Sequence, residues 1–366
     1  VSGSKTSVIT DVSADGHLAW TNAASNQIEF IQTTASLEPA DWRHYTSVLA
    51  TGTVVSYRVL KQETPDYLVI DLSEGSTATN YAVSYLDGAP PGGWDDAYKT
   101  TKLVLRRIPA GTFTMGSATN QLGRSTNEVR HQVTLTRDFY IGVFEVTQKQ
   151  WERVMGAWQG YFGNITNRDS RPVELVSYYV IRENGGFGAI SPHWPQSSQV
   201  HSNSFMGRLR AKTGLETLDL PTESQWEYAC RAGTVTALNS GYDLINATND
   251  AHMAEVGRYR WNHPGGYSTS SGVSTSSGTA KVGSYVANAW GLYDMHGNVS
   301  EFCLDWYGPY PGTVTDPPGV SSGTNRVSRG GGWASQASDC RSANRVGSLP
   351  YSQGVDVGLR VAAVLP

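Results

Sequence analysis

The sequence predicts an α+β protein with much irregular structure, preceded by a small all-β unit. Three observations carry this expectation. Alternating runs of β-branched and aromatic residues fill residues 8–60, only three later segments carry paired helix start and stop signals, and the stretch beyond residue 281 has little regular periodicity. The composition agrees: 39 glycines and 11 tryptophans stand among 366 residues, and only 16% are charged, against roughly 25% in an average soluble protein. At roughly 150 residues per domain, this length corresponds to about two domains.

Taken in order, the runs at 17–21, 27–32 and 54–59 alternate apolar and polar residues and are separated by Asp15-Gly16 and a polar stretch. This spacing predicts a small β-sandwich of the fibronectin III kind over residues 1–60. Residues 61–101 read as a linker with one lead-in strand at 67–72 and a turn-rich 88–93, and the large domain as 102–366. Within it, strands are expected at 103–108, 131–136 and 139–146. Thr147 with Gln150, and Thr222 with Gln225, form capping boxes that start helices ending near Gly156 and Gly233. A further helix is expected over 204–213, stopped by Gly214. Residues 265–279 are nearly all Ser, Gly and Thr, which bury no apolar surface and read as a mobile loop.

Charge and composition argue against several function classes. Lys and Arg (28) nearly balance Asp and Glu (32), so there is no general attraction to nucleic acid. No apolar run is long enough for a membrane span. The chain opens at Val1 without a basic or apolar leader, which reads as a mature chain, and its low charge and abundant Ser, Thr and Gly suggest a secreted or cell-surface bacterial protein. Three cysteines, Cys230, Cys303 and Cys340, allow at most one internal disulfide. The eight histidines show no zinc-ligand spacing, and no nucleophile elbow is present. Arg329, Arg341, Arg345 and Arg360 recur near the C-terminus and are expected to tie loops to carbonyls and carboxylates.

Motifs in one order connect these parts: FTMGS at 113–117, EVTQKQW at 145–151, RPVE at 171–174, LPTESQWEYACRAGT at 220–234, NAWGLYDMHGNV at 288–299, RGGGW at 329–333 and GLR at 358–360. Over residues 102–364 the chain thereby resembles the formylglycine-generating-enzyme, or sulfatase-modifying-factor, family. The resemblance implies a C-type-lectin-like fold. It also implies a copper-dependent oxidase acting on protein cysteine, but the cysteine pair that holds copper in that family is not found. Only Cys340 follows Trp333 within that stretch, so copper is not expected. The histidine cluster of the iron-dependent relatives is likewise missing.

The resemblance further implies calcium at the turn of Gly297, Asn298, Val299 and Glu301, with Asn262 as a member of a second site; the alternative is a turn that only satisfies its own backbone. It implies a Cys303–Cys340 disulfide, with two separate buried thiols as the alternative, and leaves Cys230 unpaired because Val361 takes its partner's place. Finally, it points to short islands between the C-terminal anchors as a surface for a protein or glycan, of the sort varied in retroelement-diversified proteins. These are Trp333, Ala334, Ser335, Ser338, Asp339, Val346, Ser348, Leu349, Tyr351, Ser352, Val355 and Asp356. The alternative is that they are ordinary loop residues. The expected function is thus non-catalytic binding or display. The oxidase, and a self-associating subunit of an extracellular assembly, stand as the other readings.

Overall fold

The computed structural model describes residues 64–163, 167–183, 193–263 and 278–364, together with the backbone of five short strands between residues 8 and 58. The chain divides into two compact units, Val1–Thr64 and Pro65–Pro366.

The first unit contains β1 (Val8–Val12), β2 (His17–Thr21), β3 (Ile28–Glu29), β4 (Val48–Leu49) and β5 (Val54–Arg58). They form an antiparallel sheet in the order β1-β2-β5 and a separate antiparallel pair, β3-β4. The expected runs at 17–21 and 54–59 are therefore neighbours in one sheet. One sheet and one strand pair do not by themselves define the two packed layers of a sandwich.

The strands of the second unit are β6 (Tyr67–Asp71), β7 (Ala82–Leu86), β8 (Lys102–Ile108), β9 (Gly111–Met115), β10 (His131–Leu135), β11 (Phe139–Gly142) and β12 (Leu218–Asp219). Six more follow: β13 (Ser300–Trp306), β14 (Val314–Thr315), β15 (Arg326–Arg329), β16 (Arg345–Ser348), β17 (Val357–Gly358) and β18 (Ala362–Ala363). The α-helices are α1 (Gln148–Met155), α2 (Phe205–Thr213), α3 (Glu223–Arg231) and α4 (Ala251–Val256).

Three sheets result, in the orders β12-β18-β11-β8-β6-β7, β14-β10-β9 and β16-β15-β13-β17. The lead-in strand expected at 67–72 lies well inside the first of these. In β6, Leu68 and Ile70 join the core under α1 and α2, whereas Tyr67 and Val69 pack with Val104, Val143 and Phe144 on the other face. Burial on both faces explains why β6 reads as an unbroken apolar run instead of an alternating one. The linker expected over 61–101 is therefore, from Pro65 onward, part of the large domain, whose start moves from residue 102 to 65.

Both capping boxes form as expected, each with the threonine hydroxyl and the glutamine carboxamide bonded reciprocally to backbone. Gly156 and Gly214 close α1 and α2 in the left-handed conformation, while α3 closes one residue early, on Ala232 at φ 45°. Helix α4, capped by Asp250, was not expected. Beyond residue 281 the chain is also more regular than expected, since β13, β15, β16 and β17 build a complete sheet. The Ser/Gly loop expected at 265–279 lies, up to residue 277, outside the described residues.

A chain beginning at Pro65 is expected to unfold cooperatively at nearly the melting temperature of the same domain in the full chain. One beginning at Lys102 lacks β6 and β7, exposes Leu105 and Val104, and is expected to aggregate or stay unfolded. Equal melting of the two in calorimetry would restore the boundary at 102.

Candidate functional site

The C-terminal segment from Arg329 to Arg360 is built around four buried arginines, each turned to a carboxylate from another part of the chain. Arg329, at the end of β15, meets Glu227 at 2.9 Å and Glu223 at 2.8 Å, both on α3. Arg341 grips Glu128 with two nitrogens at 2.7 and 2.8 Å and donates to the Gly123 carbonyl. Arg345 grips Glu223 at 2.6 and 2.7 Å, and Arg360 grips Glu301 at 2.7 to 3.0 Å while donating to the Gly142 and Tyr293 carbonyls. The expected loop-tying role of these arginines is what the structure shows. Removing one partner of such a pair leaves an uncompensated buried charge, which costs about 3–5 kcal/mol.

Between these anchors the islands rest on three different neighbours. Residues 334–339 lie against the segments on either side of α4: the Ser335 carbonyl accepts from the Arg260 amide, and the amides of Ala337 and Ser338 donate to Thr248 and Ala247. Val346 and Ser348 lie on β16, where the Ser348 hydroxyl pairs with Ser328 across the ladder at 2.5 Å. Residues 349–356 run beside 175–179, through Tyr179 to Pro350 and Leu175 to Gly354. The ends of the segment meet where the Trp333 indole donates to the Val355 carbonyl at 2.9 Å.

Not all the expected binding residues face outward. Trp333 is 5% exposed and packs edge-on against Phe162 and His263, at 5.2 and 5.6 Å. So little of its surface is open that it packs the corner instead of offering a contact surface. Ser335 accepts from the Gly332 amide, Asp339 caps the turn at Gln336, and Asp356 is half-buried under Ser300. The side chains left exposed are Ala334, Asp339, Val346, Leu349 and Tyr351, the last at 63%. Exposed aromatics that sequence reasoning passed over are Trp158, Tyr161 and Trp261, and Tyr161 packs edge-on against the Phe162 ring that meets Trp333. The WQGYF run at 158–162 was a visible signal, an aromatic cluster directly after a helix stop.

The loop carrying Tyr161 and Phe162 is held from below by Glu174, whose carboxylate accepts from both amides at 2.6 to 2.9 Å. Burial pushes the Glu174 carboxyl up to about 7.

The expected calcium turn is bonded within the protein. The Asn298 carboxamide donates to Glu145 at 2.6 Å and accepts from the Ala280 amide at 2.8 Å, and the Val299 amide donates to the other Glu145 oxygen. Glu301 is engaged by Arg360 and by the Trp226 indole at 2.7 Å. The Asn262 side chain bonds Tyr259 and Gly257, closing the end of α4. These three side chains therefore do not fit a cation's ligand set in this conformation. Nor does any cluster of three His, Cys, Asp or Glu among the described residues. One oxygen at the same turn does stand apart: Asp294 Oδ1 is buried without a hydrogen-bond partner. Around it, Glu145, Asp294 and Glu301 face the single guanidinium of Arg360, with Lys99 farther off. Burial first, then Asp294 and Glu301, push Glu145 well above the ordinary carboxyl range, and burial pushes Asp294 up to about 6.

The Cys303–Cys340 bridge is not formed; all three cysteines are free and buried. Cys303 lies on β13 in the core with Trp226 and Val327, whereas Cys340 packs with Leu238 and Tyr259 in another. Cys230 lies 3.6 Å from the Ser342 hydroxyl and 3.8 Å from His296. Burial pushes the Cys230 thiol up to about 12 and raises Cys303 and Cys340 as well.

Residues 96–365 match the sulfatase-modifying factor enzyme 1-like domain, and the chain belongs to that family. Its relatives include the formylglycine-generating enzyme of Mus musculus, 29% identical over 72% of this chain and 75% of the enzyme. The chaperone protein LppX of Paenibacillus barcinonensis is 29% identical over 63% of this chain and 81% of its own length. Among solved structures, Treponema denticola variable protein 1 superposes with a TM-score of 0.53 at 25% identity, over 72% of this chain and 96% of that one. PvdO from Pseudomonas aeruginosa gives 0.55 at 24% identity over 76% and 100%, and shares the fold.

Glu174, Asp294 and Glu145, with Asp305 pushed to about 7 by burial and by Glu223, hold their protons more tightly folded than unfolded. Stability therefore falls as pH rises from about 4 to about 7. The melting temperature is expected to increase when pH is lowered from 7.5 to 5.5, and Asp294→Asn to flatten that slope and add about 1–3 kcal/mol at neutral pH. A melting temperature that drops over this window would contradict the assignment.

Proposed function

We propose that this chain is a non-catalytic binding protein, secreted or surface-displayed, that presents the exposed residues of its C-terminal islands to a protein or glycan. One observation carries the reading: Arg329, Arg341, Arg345 and Arg360 are locked into buried ion pairs, yet the side chains of Val346, Leu349 and Tyr351 between them are exposed. A rigid frame with interchangeable tips suits recognition, because ordering the contacts beforehand lowers the entropic cost of binding. The likeness to a protein titled a variable protein supports the same view. The formylglycine-generating relatives favour the oxidase, but that chemistry lacks accessible thiolates here.

In this reading calcium is held at the 294–299 turn through Asp294, with main-chain oxygens of Gly297 and Val299, and stiffens the scaffold without touching the ligand. Calcium is then expected to raise the melting temperature of the native chain but not of Asp294→Ala; an unchanged melting temperature in the native chain removes the ion from the account.

The binding claim is tested by probing the full chain on a glycan array and against a displayed peptide library. Replacing Val346, Leu349 and Tyr351 together by serine is expected to abolish the hits at least tenfold while leaving calorimetric unfolding intact. Retained hits in that variant, or stoichiometric Cu(I) with aldehyde formation on a cysteine peptide, would overturn it.

A further inference from the structure

A second recessed surface, unrelated to the buried thiols and backed by β16 through Tyr307, lies between the loop 126–130 and the loop 307–312. It encloses about 450 Å³ and adjoins a smaller cavity of about 190 Å³, the two sharing His131, Gly308, Pro309 and Tyr310. Both volumes together match a small-molecule site.

The walls are fixed in place. Arg345, held by Glu223, stacks behind the rings of Tyr307 and Tyr310 at 4.7 and 4.1 Å, and the His131 ring leans on Tyr310 at 4.4 Å. The Arg130 guanidinium and the Thr126 hydroxyl also line the larger cavity, and two acceptors stand on the same wall. Asn127 donates its Nδ2 to the Tyr307 hydroxyl, which leaves its buried Oδ1 without a partner. His131 Nδ1 lies 2.9 Å from the Val129 carbonyl, and a carbonyl only accepts, so Nδ1 carries the proton and Nε2 of the neutral ring is an acceptor. The carboxylates nearby are already engaged: Glu223 by Arg345, and Asp305 by the Glu223 amide. An unsatisfied buried acceptor is costly, and a ligand hydroxyl would satisfy it.

We infer that this cavity, formed by Asn127, His131, Tyr307 and Tyr310, is a binding site for a neutral hydroxyl-bearing ring, a hexose-type sugar. Its apolar C–H face lies on the tyrosine and proline wall, and two of its hydroxyls donate to Asn127 Oδ1 and His131 Nε2. The cation behind the rings, Arg345, is already paired with Glu223, and an apolar ligand leaves Asn127 Oδ1 unsatisfied.

The test uses the full chain with glucose, galactose, mannose and N-acetylglucosamine, each titrated by saturation-transfer NMR. At least one is expected to saturate, to shift the His131 ring resonances, and to bind at least tenfold more weakly to Asn127→Ala. The triple serine variant of Val346, Leu349 and Tyr351 should bind it unchanged, which separates this site from the islands. Absence of saturable binding by all four sugars overturns the inference. Binding that leaves the His131 resonances unmoved also overturns it, and this second readout needs no variant.

Discussion

The structure depends on charge pairs buried where a core would normally be apolar. Arg329, Arg341, Arg345 and Arg360 reach carboxylates on α3, on the loop at Glu128 and on β13, and each guanidinium is almost fully enclosed. The same guanidinium groups also donate to backbone carbonyls at Gly123, Gly142, Tyr293, Gly308 and Ser342. A planar fork with five donors satisfies several loop carbonyls from a single side chain, which no apolar contact can do. That is how a segment with short strands and few helices keeps one conformation, and why breaking a pair is far costlier than losing a surface contact.

The same arrangement divides labour along the C-terminal segment. Anchors point inward and are committed to partners distant in sequence; the tips of the islands point outward and hold little of the fold. The Trp333 corner marks the border between the two. Its indole is sealed by Phe162 and His263 and bonded to Val355, so it joins the two ends of the segment instead of meeting a ligand. Glu174 beneath Phe162 adds a titrating support close to neutral pH.

Local features were legible in the sequence and long-range ones were not. The capping boxes at Thr147 and Thr222 involve residues three apart and appear as expected, as do the glycine stops at 156 and 214. Helix α4 is six residues long, too short to show periodicity, and only its Asp250 cap could have announced it. The strand at 67–71 was visible, but its place inside a six-stranded sheet depends on pairing with β8 across an intervening hairpin. For the site, the recurrent arginines were legible and their partners were not, because Arg341 and Glu128 are 213 positions apart. The calcium expectation rested on the local turn at Asn298 and could not show that Glu145 and Ala280 engage the Asn298 side chain, or that Glu301 lies on β13 and is held by Arg360.

The central claim is that the frame and the tips are energetically separate. It is tested most directly by calorimetry on two variants of the full chain. Combined replacement of the tips, Ala334→Ser, Val346→Thr, Leu349→Gln and Tyr351→Ser, is predicted to cost no more than about 1 kcal/mol in all. The single anchor change Arg341→Met should cost about 3–5 kcal/mol by leaving Glu128 unpaired. Equal losses in the two variants would contradict the account, since the islands would then be holding the fold that they are supposed only to display.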